Sequence, residues 1–505
     1  MKELETTSSI CPLCFQEGKI HKIPASIVED EEKVWILKQC QQHGSFKEIY
    51  FSDVNLYKRW MKYKSTGKPN SVIKTSIFND PGLYAQHMSQ TMLTNLVVTN
   101  RCNLRCPYCY MNAGDTGYVY EPPLDQLKIF MQQTRDEKPI GSKSIQITGG
   151  EPTLREDLFE IIQMAKKMGY THIQVHTNGV KLAENIEYCQ RLKDEKVDTV
   201  YMSFNGVTKT TNPLIEQHKK VLENLKKVNL NVVLVPVLIG DKNIQESGKI
   251  IRFALDNIDV VRGVHFQPIS FCGRAAKIND NERKNQRVDY ANIMDAIEKE
   301  FTGLISRDDF YPFSFLFSFS MFIESFIKEP QINMTVHPGC GGSTHIVIDE
   351  GKPIPITRFI NVEKSITFFK EQTTKIGPLR KLRFIASLVK NFDSFKNNTE
   401  APQGFDLKQI LKDGAVGGNQ FALRKFHHKT LFIGFMWHQD VWNLNIDRLQ
   451  RCIIHYATPE GIVPFCLYTG LGYGEKIQKK YSIPREEWEK KTGRSLKDDI
   501  RNSGI

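Results

Sequence analysis

The chain lacks the features that direct a protein into or across a membrane. No stretch reaches 18 uninterrupted apolar residues, which predicts that no helix spans a bilayer. The first residues, Met1–Glu5, contain no apolar core of a signal peptide. We therefore expect a cytoplasmic location, and peripheral contact with a membrane surface stays an open alternative.

The chain also lacks a large excess of charge of one sign. The formal net charge is +11 over 505 residues, with the 40% hydrophobic and 25% charged residues of a globular protein. At roughly 150 residues per domain, this length indicates two to four domains. The positive balance favours phosphorylated substrates or an anionic membrane surface, or it serves solubility alone. We expect no nucleic-acid partner.

The cysteines do not form the pattern of a small disulfide scaffold. There are eleven of them, an odd number, and they are dispersed along the chain apart from one clustered triplet. This distribution fits a reducing compartment and metal binding better than disulfide bonds.

The triplet follows a short apolar run, Leu96–Val98, that is typical of a strand. Its members, Cys102, Cys106 and Cys109, have C-x3-C-x2-C spacing. Three thiolates on one loop can hold three irons of a [4Fe–4S] cluster and leave the fourth iron open to a small molecule. A zinc loop is the alternative, but a structural zinc site normally has four protein ligands and this spacing supplies three.

A second motif lies about forty residues downstream. The apolar run Ser144–Thr148 predicts a buried strand, and Gly149, Gly150, Glu151 and Pro152 follow it directly. Two glycines let the backbone approach a ligand closely, and the Glu151 carboxylate can accept from an ammonium group. By itself such a segment marks an ordinary turn. It indicates a ligand site only because it follows the cysteine triplet.

Together, the two motifs resemble those of the radical S-adenosylmethionine (SAM) superfamily. The resemblance implies that the three cysteines hold a [4Fe–4S] cluster whose open iron binds the amino and carboxylate groups of SAM. Tyr108 would lie by the adenine, and the segment from Gly149 to Pro152 would hold the methionyl end. An electron donor such as ferredoxin or flavodoxin would reduce the cluster. SAM would then be cleaved to a 5′-deoxyadenosyl radical that abstracts hydrogen from an unactivated carbon.

An iron–sulfur electron-transfer protein that never cleaves SAM is the alternative from another class. Glu151 in its Gly-Gly-Glu-Pro setting argues against it, because electron transfer alone has no use for a carboxylate that accepts from an ammonium group.

Residues 90–300 alternate strand and helix patterns, which predicts an α/β domain with a parallel sheet. The predicted strands are Asn95–Thr99, Ser144–Thr148, His172–His176, Thr199–Phe204, Val232–Leu238 and Gly263–Pro268. The predicted helices are Leu124–Thr134, Asp157–Met168, Ala183–Lys193, Pro213–Lys226 and Ile244–Asp256. Six such units match the partial, TIM-like (β/α)6 barrel of radical SAM enzymes.

Polar side chains stand where two of these strands end. Asn178 follows the third predicted strand, and Ser203 and Asn205 end the fourth. Functional residues of barrels lie at the carboxyl ends of strands, so we expect Asn178 and Ser203 in the cofactor site. Asn205 occupies a position where the family often has Asp, so the family's role for this position is assigned to Asn205 only weakly. The alternative is that all three belong to ordinary strand-ending turns.

Residues 1–65 contain two short knuckles with metal-ligand spacing. The first is C-x2-C at Cys11 and Cys14, and the second is C-x2-H at Cys40 and His43. Four such side chains suit one tetrahedral ion, either zinc or a rubredoxin-like iron. This small lobe would gain stability from the bound metal, and unligated thiols are the alternative.

Four further cysteines lie at or beyond the end of the predicted barrel, toward and within residues 301–505. They are Cys272, Cys340, Cys452 and Cys466. Most of them stand beside Gly, Pro or an aromatic residue, as loop ligands do, and four thiolates can fully ligate an auxiliary [4Fe–4S] cluster. The alternative is four separate structural thiols. Cys189, at helical spacing from Ile186 and Leu192, is expected in the core.

Residues 310–323 form an aromatic-rich apolar run interrupted by serines. The run predicts a core helix, or else a wall for a long apolar substrate or a membrane-facing patch. Later in the chain, His438 and His455 are candidates for acid–base groups, although structural histidines are more common.

The order of motifs narrows the resemblance to one branch of the superfamily. The N-terminal knuckles, the barrel, His337–Gly342, Pro355–Phe359 and the late Cys452 and Cys466 segments resemble the class D pterin methyltransferases and the tetraether or membrane-spanning lipid synthases. This resemblance implies C–C bond formation at an sp3 carbon. The apolar run and the positive charge favour a lipid alkyl chain as substrate. A pterin precursor, methylated with carbon from a folate-like donor, is one alternative, and a peptide is another.

Overall fold

The structure, a computed structural model, describes residues 1–65, 83, 87–114, 116–375, 377, 379–397, 402 and 430–499. Within these ranges the chain forms a small antiparallel sheet at the N-terminal end, one large mixed sheet and a short two-stranded pair. Parallel strands alternate with helices in the large sheet, so the predicted α/β class is confirmed.

The first 65 residues contain four antiparallel strands and two helices. These elements are β1 (Lys2–Ile10), β2 (Lys22–Asp30), β3 (Lys33–Cys40), β4 (Gly44–Phe51), α1 (Pro12–Gln16) and α2 (Val54–Met61). Phe51 ends β4, and Asp53 caps α2 by accepting the backbone N–H of Leu56 at 2.9 Å.

The small sheet does not stand apart from the rest of the molecule. Phe51 and Trp60 pack on Tyr290, with ring centroids 5.7 and 5.3 Å apart, inside the same hydrophobic core that supports the large sheet. Only the sulfurs of the two knuckles and Ile23 form a separate small core. The N-terminal segment is therefore held both by its own knuckles and by the main core.

The remaining strands of the described ranges follow in chain order. They are β5 (Leu93–Thr99), β6 (Tyr118–Val119), β7 (Ser144–Gly149), β8 (His172–Thr177), β9 (Thr199–Ser203), β10 (Asn231–Val235), β11 (Val237–Leu238), β12 (Val261–Pro268), β13 (Tyr311–Pro312), β14 (Gly341–Asp349), β15 (Lys352–Pro355), β16 (Thr430–Met436), β17 (Ile454–Thr458), β18 (Gly461–Pro464) and β19 (Ile483–Pro484).

The large sheet has the order β13-β14-β16-β12-β10-β9-β8-β7-β5-β17-β18 among the described residues. Its central strands, from β16 to β17, all run parallel. Six of them are the strands predicted from the sequence. The C-terminal part of the chain supplies the other two, with β16 beside β12 and β17 beside β5, and so extends the sheet at both sides.

The remaining helices cover the sheet or lie beyond it. They are α3 (Leu124–Arg135), α4 (Leu158–Lys167), α5 (Val180–Glu184), α6 (Ile186–Asp194), α7 (Ile215–Lys227), α8 (Ser247–Asp256), α9 (Asp280–Gln286), α10 (Tyr290–Glu300), α11 (Phe317–Ile327), α12 (Val362–Thr373), α13 (Arg380–Asn391), α14 (Ile446–Gln450), α15 (Phe465–Gly470), α16 (Tyr473–Lys480) and α17 (Arg485–Thr492).

Two predicted elements are interrupted for local reasons. The helix expected over Ala183–Lys193 breaks at Asn185, whose side-chain oxygen accepts the N–H of Tyr188 at 2.7 Å and starts α6. The strand expected over Val232–Leu238 breaks at Pro236, which has no N–H for a ladder hydrogen bond.

The aromatic run at 310–323 becomes a short strand, a 3-10 turn and the start of α11. Phe322 packs with Phe368 of α12 and with Phe384 and Leu388 of α13 in a separate apolar cluster. No helix in the described part of the chain is long and apolar enough to cross a membrane.

Candidate active site and metal-binding cysteines

The loop with C-x3-C-x2-C spacing lines a cavity of about 120 Å³ at the carboxyl ends of β5, β7, β8 and β9. The predicted residues that share this cavity are Cys102, Cys106, Cys109, Tyr108, Gly149, Gly150, Glu151, Asn178 and Ser203. Pro152 is not among the lining residues. It begins a short 3-10 helix, Pro152–Leu154, that leads away from the cavity.

Gly149 and Gly150 bring the end of β7 against the cysteine loop. A Cβ atom on Gly149 would lie 2.2 Å from the carbonyl oxygen of Thr99, and one on Gly150 would lie 2.1 Å from that of Arg101. Because no side chain stands there, the N–H of Gly150 donates to the Thr99 carbonyl oxygen at 2.7 Å, and the N–H of Glu151 donates to the Arg101 carbonyl oxygen at 2.8 Å. Only glycine permits this approach, so the two motifs are interlocked through their backbones.

The Glu151 carboxylate is buried, with 1% of its surface exposed, and is held by surrounding donors. Its Oε1 accepts the hydroxyl of Thr153 at 2.7 Å, the N–H of Thr153 at 3.1 Å and the hydroxyl of Thr177 at 2.7 Å. Its Oε2 accepts the N–H of Asn178 at 2.7 Å. Burial raises the pKa of Glu151, and these hydrogen bonds oppose the rise. Within the described residues Oε2 receives this one donor, so it keeps acceptor capacity for a further donor such as an ammonium group.

Asn178 connects β8 to the cysteine loop. Its side-chain amide donates to the Asn103 side-chain oxygen at 2.7 Å, while its own oxygen accepts the N–H of Val180 at 3.1 Å and starts α5. The backbone oxygen of Asn178 accepts from the His218 ring at 3.1 Å. The residue is therefore more than a strand-ending turn, because its side-chain amide holds the loop while its side-chain oxygen starts α5.

Asn205, to which the sequence assigned the family's role only weakly, contacts Tyr108, a predicted cofactor-binding residue. Its side-chain amide donates a hydrogen bond to the Tyr108 hydroxyl, and its side-chain oxygen accepts the N–H of Val237 at 2.9 Å. Tyr108 packs beside the apolar cluster that contains Ile239 and Phe271. Asn205 therefore fixes the orientation of the Tyr108 ring at the edge of the cavity.

Sequence reasoning missed two polar residues of the cavity wall. His176 of β8 and Gln267 of β12 line the cavity, and no hydrogen bond to their side chains is formed within the described part of the chain. Burial lowers the pKa of His176 to about 4, so its imidazole is neutral at physiological pH. The period of two along the strands could have identified both positions, because inward-facing residues alternate with core-facing ones.

Two of the loop thiols, those of Cys102 and Cys106, are poor acids by themselves. Burial, followed by the charge of Glu151, holds the pKa of Cys102 well above its usual range. Burial also raises the pKa of Cys106 to about 11, against the guanidinium of Arg274. A bound cation would supply the missing stabilisation of the thiolates. The donor set therefore fits a [4Fe–4S] cluster with three protein ligands, and the cavity beside it is where SAM would bind.

The N-terminal knuckles bring their four ligands together. One ligand atom from each of Cys11, Cys14, Cys40 and His43 lies within 4.8 Å of the others. The His43 Nδ1 is 3.4 Å from the Cys11 sulfur, 3.3 Å from that of Cys14 and 3.8 Å from that of Cys40. Three thiols and one imidazole at this spacing suit a tetrahedral ion, which makes this segment a metal-binding group.

The surroundings of these ligands also favour metal binding. The Nε2 of His43 lies 3.1 Å from a carboxylate oxygen of Glu17, which orients the ring so that Nδ1 faces the sulfurs. Burial raises the pKa of Cys40, but backbone hydrogen bonds at His43 and Gln42 outweigh it and lower that pKa to about 6. Burial and the neighbouring sulfurs of Cys11 and Cys40 raise the pKa of Cys14 to about 12.

The four later cysteines come from separate elements. Cys272 follows β12, Cys340 precedes β14, Cys452 precedes β17 and Cys466 lies in α15. Burial raises the pKa of each of them, and the charges of Cys466 and Cys340 add to the rise at Cys452. In the described chain no three of these sulfurs lie within 4.8 Å of one another, unlike the ligands of the N-terminal group.

Cys272 lies between the loop of the first motif and the other late cysteines. The N–H of Arg274 donates to the Cys109 carbonyl at 3.1 Å, and the Arg274 guanidinium donates to the Cys106 carbonyl at 3.1 Å. The charges of both Cys109 and Cys466 act on Cys272. The two groups of cysteines are therefore electrostatic neighbours, joined through residues 272–274.

The two candidate histidines have different surroundings. The His438 Nε2 lies 3.7 Å from the Cys272 sulfur, and its ring packs on Tyr110 at 5.4 Å. His455 is buried on β17 instead, where its Nδ1 lies 3.0 Å from the Thr91 hydroxyl. His455 does not line the cavity, so the structure supports its structural interpretation.

A further ionisable group was not found from the sequence. One ligand atom from each of Glu5, His337 and Asp447 lies within 4.8 Å of the others. Lys64 already bridges the two carboxylates, at 2.8 Å from Glu5 and 2.9 Å from Asp447. The His337 Nδ1 accepts the N–H of Gly339 at 3.0 Å, which leaves the ring proton on Nε2. The group therefore forms an ion network between β1 and α14.

Comparison with protein-family models matches two parts of the chain. Residues 96–254 match the Radical SAM superfamily, and residues 3–52 match the HMPTM N-terminal zinc ribbon domain. These ranges contain the cysteine loop and the N-terminal knuckles, respectively.

Individual proteins are similar over different lengths. The 7,8-dihydro-6-hydroxymethylpterin dimethyltransferase of Methanocaldococcus jannaschii is 38% identical over 500 residues, which covers 96% of this chain and 97% of that protein. The "Probable GTP 3′,8-cyclase" of Saccharolobus solfataricus is 27% identical over 254 residues, covering 48% and 76%. The crystal structure of methylornithine synthase is 12% identical with a TM-score of 0.32, covering 42% of this chain and 64% of that one.

The similarity to the dimethyltransferase extends over nearly the whole length of both proteins. The chain belongs to the radical SAM superfamily and, within it, to the family of that dimethyltransferase.

Proposed function

We propose that this chain is a radical SAM methyltransferase that adds methyl carbon to a reduced pterin such as 7,8-dihydro-6-hydroxymethylpterin. The observation that carries the proposal is the 38% identity to the dimethyltransferase across 96% of this chain. The pterin alternative is therefore better supported than the lipid substrate that the sequence favoured.

The position of the aromatic run also argues against a lipid substrate. No residue of 310–323 lines the cavity beside Cys102, and Phe322 packs against α12 and α13 instead. The wall of the cavity carries amide, imidazole and hydroxyl groups, which suit the hydrogen-bonding edge of a pterin better than an alkyl chain. The apolar run therefore serves packing and gives no support to a lipid substrate.

The residues that would hold the cofactors follow from the geometry. Cys102, Cys106 and Cys109 would ligate one [4Fe–4S] cluster, which with SAM supplies the reducing electron and the hydrogen-abstracting radical. The Oε2 of Glu151 would accept from the SAM ammonium group, and Tyr108, oriented by Asn205, would border the adenine. The six central strands β5 to β12, apart from the short β6 and β11, would form the partial barrel around them.

Substrate recognition is assigned to the polar wall. The neutral His176 imidazole can donate at one nitrogen and accept at the other, and the Gln267 amide offers both functions as well. Ser203 adds a hydroxyl on the neighbouring strand. A pterin ring presents adjacent donors and acceptors, so these unengaged groups are the ones we assign to it.

Two further metal groups complete the proposal. The N-terminal ligands are three cysteines and one histidine, and we assign zinc to them because this set is a common structural zinc site. Cys272, Cys340, Cys452 and Cys466 would hold an auxiliary [4Fe–4S] cluster. Ferredoxin or flavodoxin is the class of electron donor we propose, because reduction of such clusters needs a one-electron donor of low potential.

The test is mass spectrometry of pterins from anaerobic cells that express the full chain. We expect a methylated pterin with the wild type and none with Cys102→Ala. Cys189→Ala is the matched control, because Cys189 is a buried thiol of the main core whose sulfur donates to Leu182 at 3.4 Å, away from the cavity. This control variant should retain the product.

Unchanged pterins with the wild type would contradict the proposed substrate. A lipid or peptide that changes in mass only with the wild type would then identify the substrate class. The purified protein separates this outcome from loss of SAM chemistry, because reductive formation of 5′-deoxyadenosine should require Cys102 whichever substrate is used.

A further inference from the structure

Among the described residues, Arg448 is a buried cation without a carboxylate partner. It lies on α14 with 1% of its surface exposed. Its Nε donates to the Cys340 sulfur at 3.3 Å, one Nη group donates to the backbone oxygen of Trp437, and the other Nη group has no partner. The residue therefore faces the late cysteines with both a charge and an unused donor.

This arrangement is an exception among the buried arginines of the described residues. Arg101, Arg155, Arg283, Arg287 and Arg451 each lie within 4.0 Å of at least one carboxylate oxygen. Burial of an unpaired guanidinium is costly, so a compensating anion is expected close to Arg448.

The neighbours of Arg448 identify the class of that anion. The groups whose charges act on it are Cys340, Tyr50, Tyr290 and Cys466. Of these four groups, Cys340 is the one in direct hydrogen-bond contact with the guanidinium, because its sulfur accepts from the Arg448 Nε at 3.3 Å. The expected anion is therefore a metal group held by the late cysteines as thiolates.

We propose that Arg448 is the counter-charge of the auxiliary cluster and raises its reduction potential. The inference rests on the part of the proposed function that assigns an auxiliary [4Fe–4S] cluster to Cys272, Cys340, Cys452 and Cys466. It is independent of the pterin substrate.

The physical reason is the change of charge on reduction. A [4Fe–4S] cluster ligated by four thiolates is anionic, and the electron it takes up adds one more negative charge. A cation in the poorly screened interior stabilises the reduced form more than the oxidised form. Hydrogen bonds to cluster sulfurs act in the same direction, and Arg448 offers one to Cys340 and has a second N–H available.

The test isolates the auxiliary cluster in the full-length chain. In the triple variant Cys102→Ala, Cys106→Ala, Cys109→Ala, the first motif holds no cluster, so a redox titration followed by electron paramagnetic resonance reports the auxiliary cluster alone. In this background, Arg448→Met should lower the reduced-to-oxidised ratio at a fixed potential by at least tenfold, which is about 59 mV for a one-electron couple. Arg448→Lys, which keeps the charge, should change the ratio much less.

Arg451→Met is the matched control from the same segment. Arg451 is also buried, but Asp447 lies 3.0 Å from its Nε and neutralises it. Its removal should leave the potential of the cluster nearly unchanged.

Equal potentials for the wild-type residue and Arg448→Met, at equal cluster content, would overturn the proposal. So would the absence of cluster iron in the triple variant, because no anion would then lie beside Arg448. If Arg448→Met loses the cluster and Arg448→Lys keeps it, the need for a positive charge is supported. Loss of the cluster in both variants would assign Arg448 a packing role and overturn the proposal.

Discussion

The side-chain amide of Asn178 donates to the side-chain oxygen of Asn103 across 2.7 Å, and both residues are buried. This single hydrogen bond joins the carboxyl end of β8 to the loop that carries Cys102 and Cys106. The position of the loop relative to the cavity therefore depends on a strand that supplies no cysteine.

Asn178→Ala should weaken SAM binding without removing the cluster ligands. Loss of the bond leaves the buried Asn103 oxygen without its donor, which costs roughly 1–3 kcal/mol. If about half of that cost falls on the bound state, the dissociation constant of SAM rises about 2- to 13-fold. Equilibrium dialysis with the reconstituted protein measures this constant.

Asn224→Ala is the control for this prediction. Asn224 is another buried asparagine, but its amide donates to Leu182 at 2.8 Å between α5 and α7. Its removal should lower the melting temperature and leave SAM affinity unchanged. Equal SAM affinity in Asn178→Ala and the wild type would show that the loop keeps its place without the bond.

Glu151→Gln should reduce both SAM binding and stability. The four hydrogen bonds to Glu151 all need an acceptor, and a glutamine amide group would place a donor against Asn178 or the two threonines. We expect destabilisation of roughly 1–3 kcal/mol and loss of most 5′-deoxyadenosine formation. Thermal unfolding and chromatography of the nucleoside measure the two effects.

Glu160→Gln, on the exposed side of α4, serves as the control and should change neither quantity. Wild-type turnover in Glu151→Gln would contradict the role assigned to this carboxylate.

Glu17→Gln should weaken the N-terminal metal site without removing a ligand. Glu17 accepts from the His43 ring at 3.1 Å, and loss of such an orienting partner typically lowers metal affinity by about 10- to 100-fold. Competition with a zinc chelator measures the change, and the wild type should hold one zinc per chain. Glu31→Gln, on the exposed turn between β2 and β3, should keep wild-type affinity. Iron in place of zinc in aerobically and anaerobically purified protein would contradict the assignment of the metal.

His218 should make the protein sensitive to acid. Its ring lies 3.1 Å from the Asn178 backbone oxygen and 3.0 Å from the Asn212 amide, and burial lowers its pKa from 6.5 to about 4. Between these values the unfolded chain binds more protons, so the free energy of unfolding falls as pH falls through this window. At about 1.4 kcal/mol for each pKa unit, the loss is roughly 3 kcal/mol.

His218→Gln isolates this contribution, because glutamine keeps one donor and one acceptor but does not titrate. Melting temperatures from pH 8 to pH 4.5 should fall less steeply in this variant than in the wild type. The exposed His21→Gln should retain the wild-type slope. Parallel curves for His218→Gln and the wild type would exclude His218 as the source of acid sensitivity.

The sequence was sufficient where local pattern decides structure. The six strands of the central domain were found because each is an apolar run with polar flanks, and the spacing of Cys102, Cys106 and Cys109 identified their loop. The breaks at Asn185 and Pro236 were missed. Each depends on a single residue whose capping or missing N–H outweighs an otherwise continuous apolar pattern.

The sequence did not predict which strands pair when they lie far apart in the chain. Strands β16 and β17 join the parallel sheet at positions far from their sequence neighbours, and nothing in their composition specifies β12 and β5 as partners. Likewise, β1 is rich in Glu, Thr and Ser, so it shows no strand signal, and it is ordered by pairing with β2. Arg448 was missed for the same reason, because its environment is created by Cys340, more than a hundred residues earlier.

The pairing of β17 with β5 has a consequence for how the protein is made. Strand β5 leads directly into the cysteine loop, yet its outer neighbour is encoded some 360 residues later. During synthesis on the ribosome, β5 keeps an unpaired edge until Ile454–Thr458 emerge, and such an edge invites association with other chains. The edge of the strand that leads to Cys102 therefore stays open until the segment that follows Cys452 has been made and has paired with it.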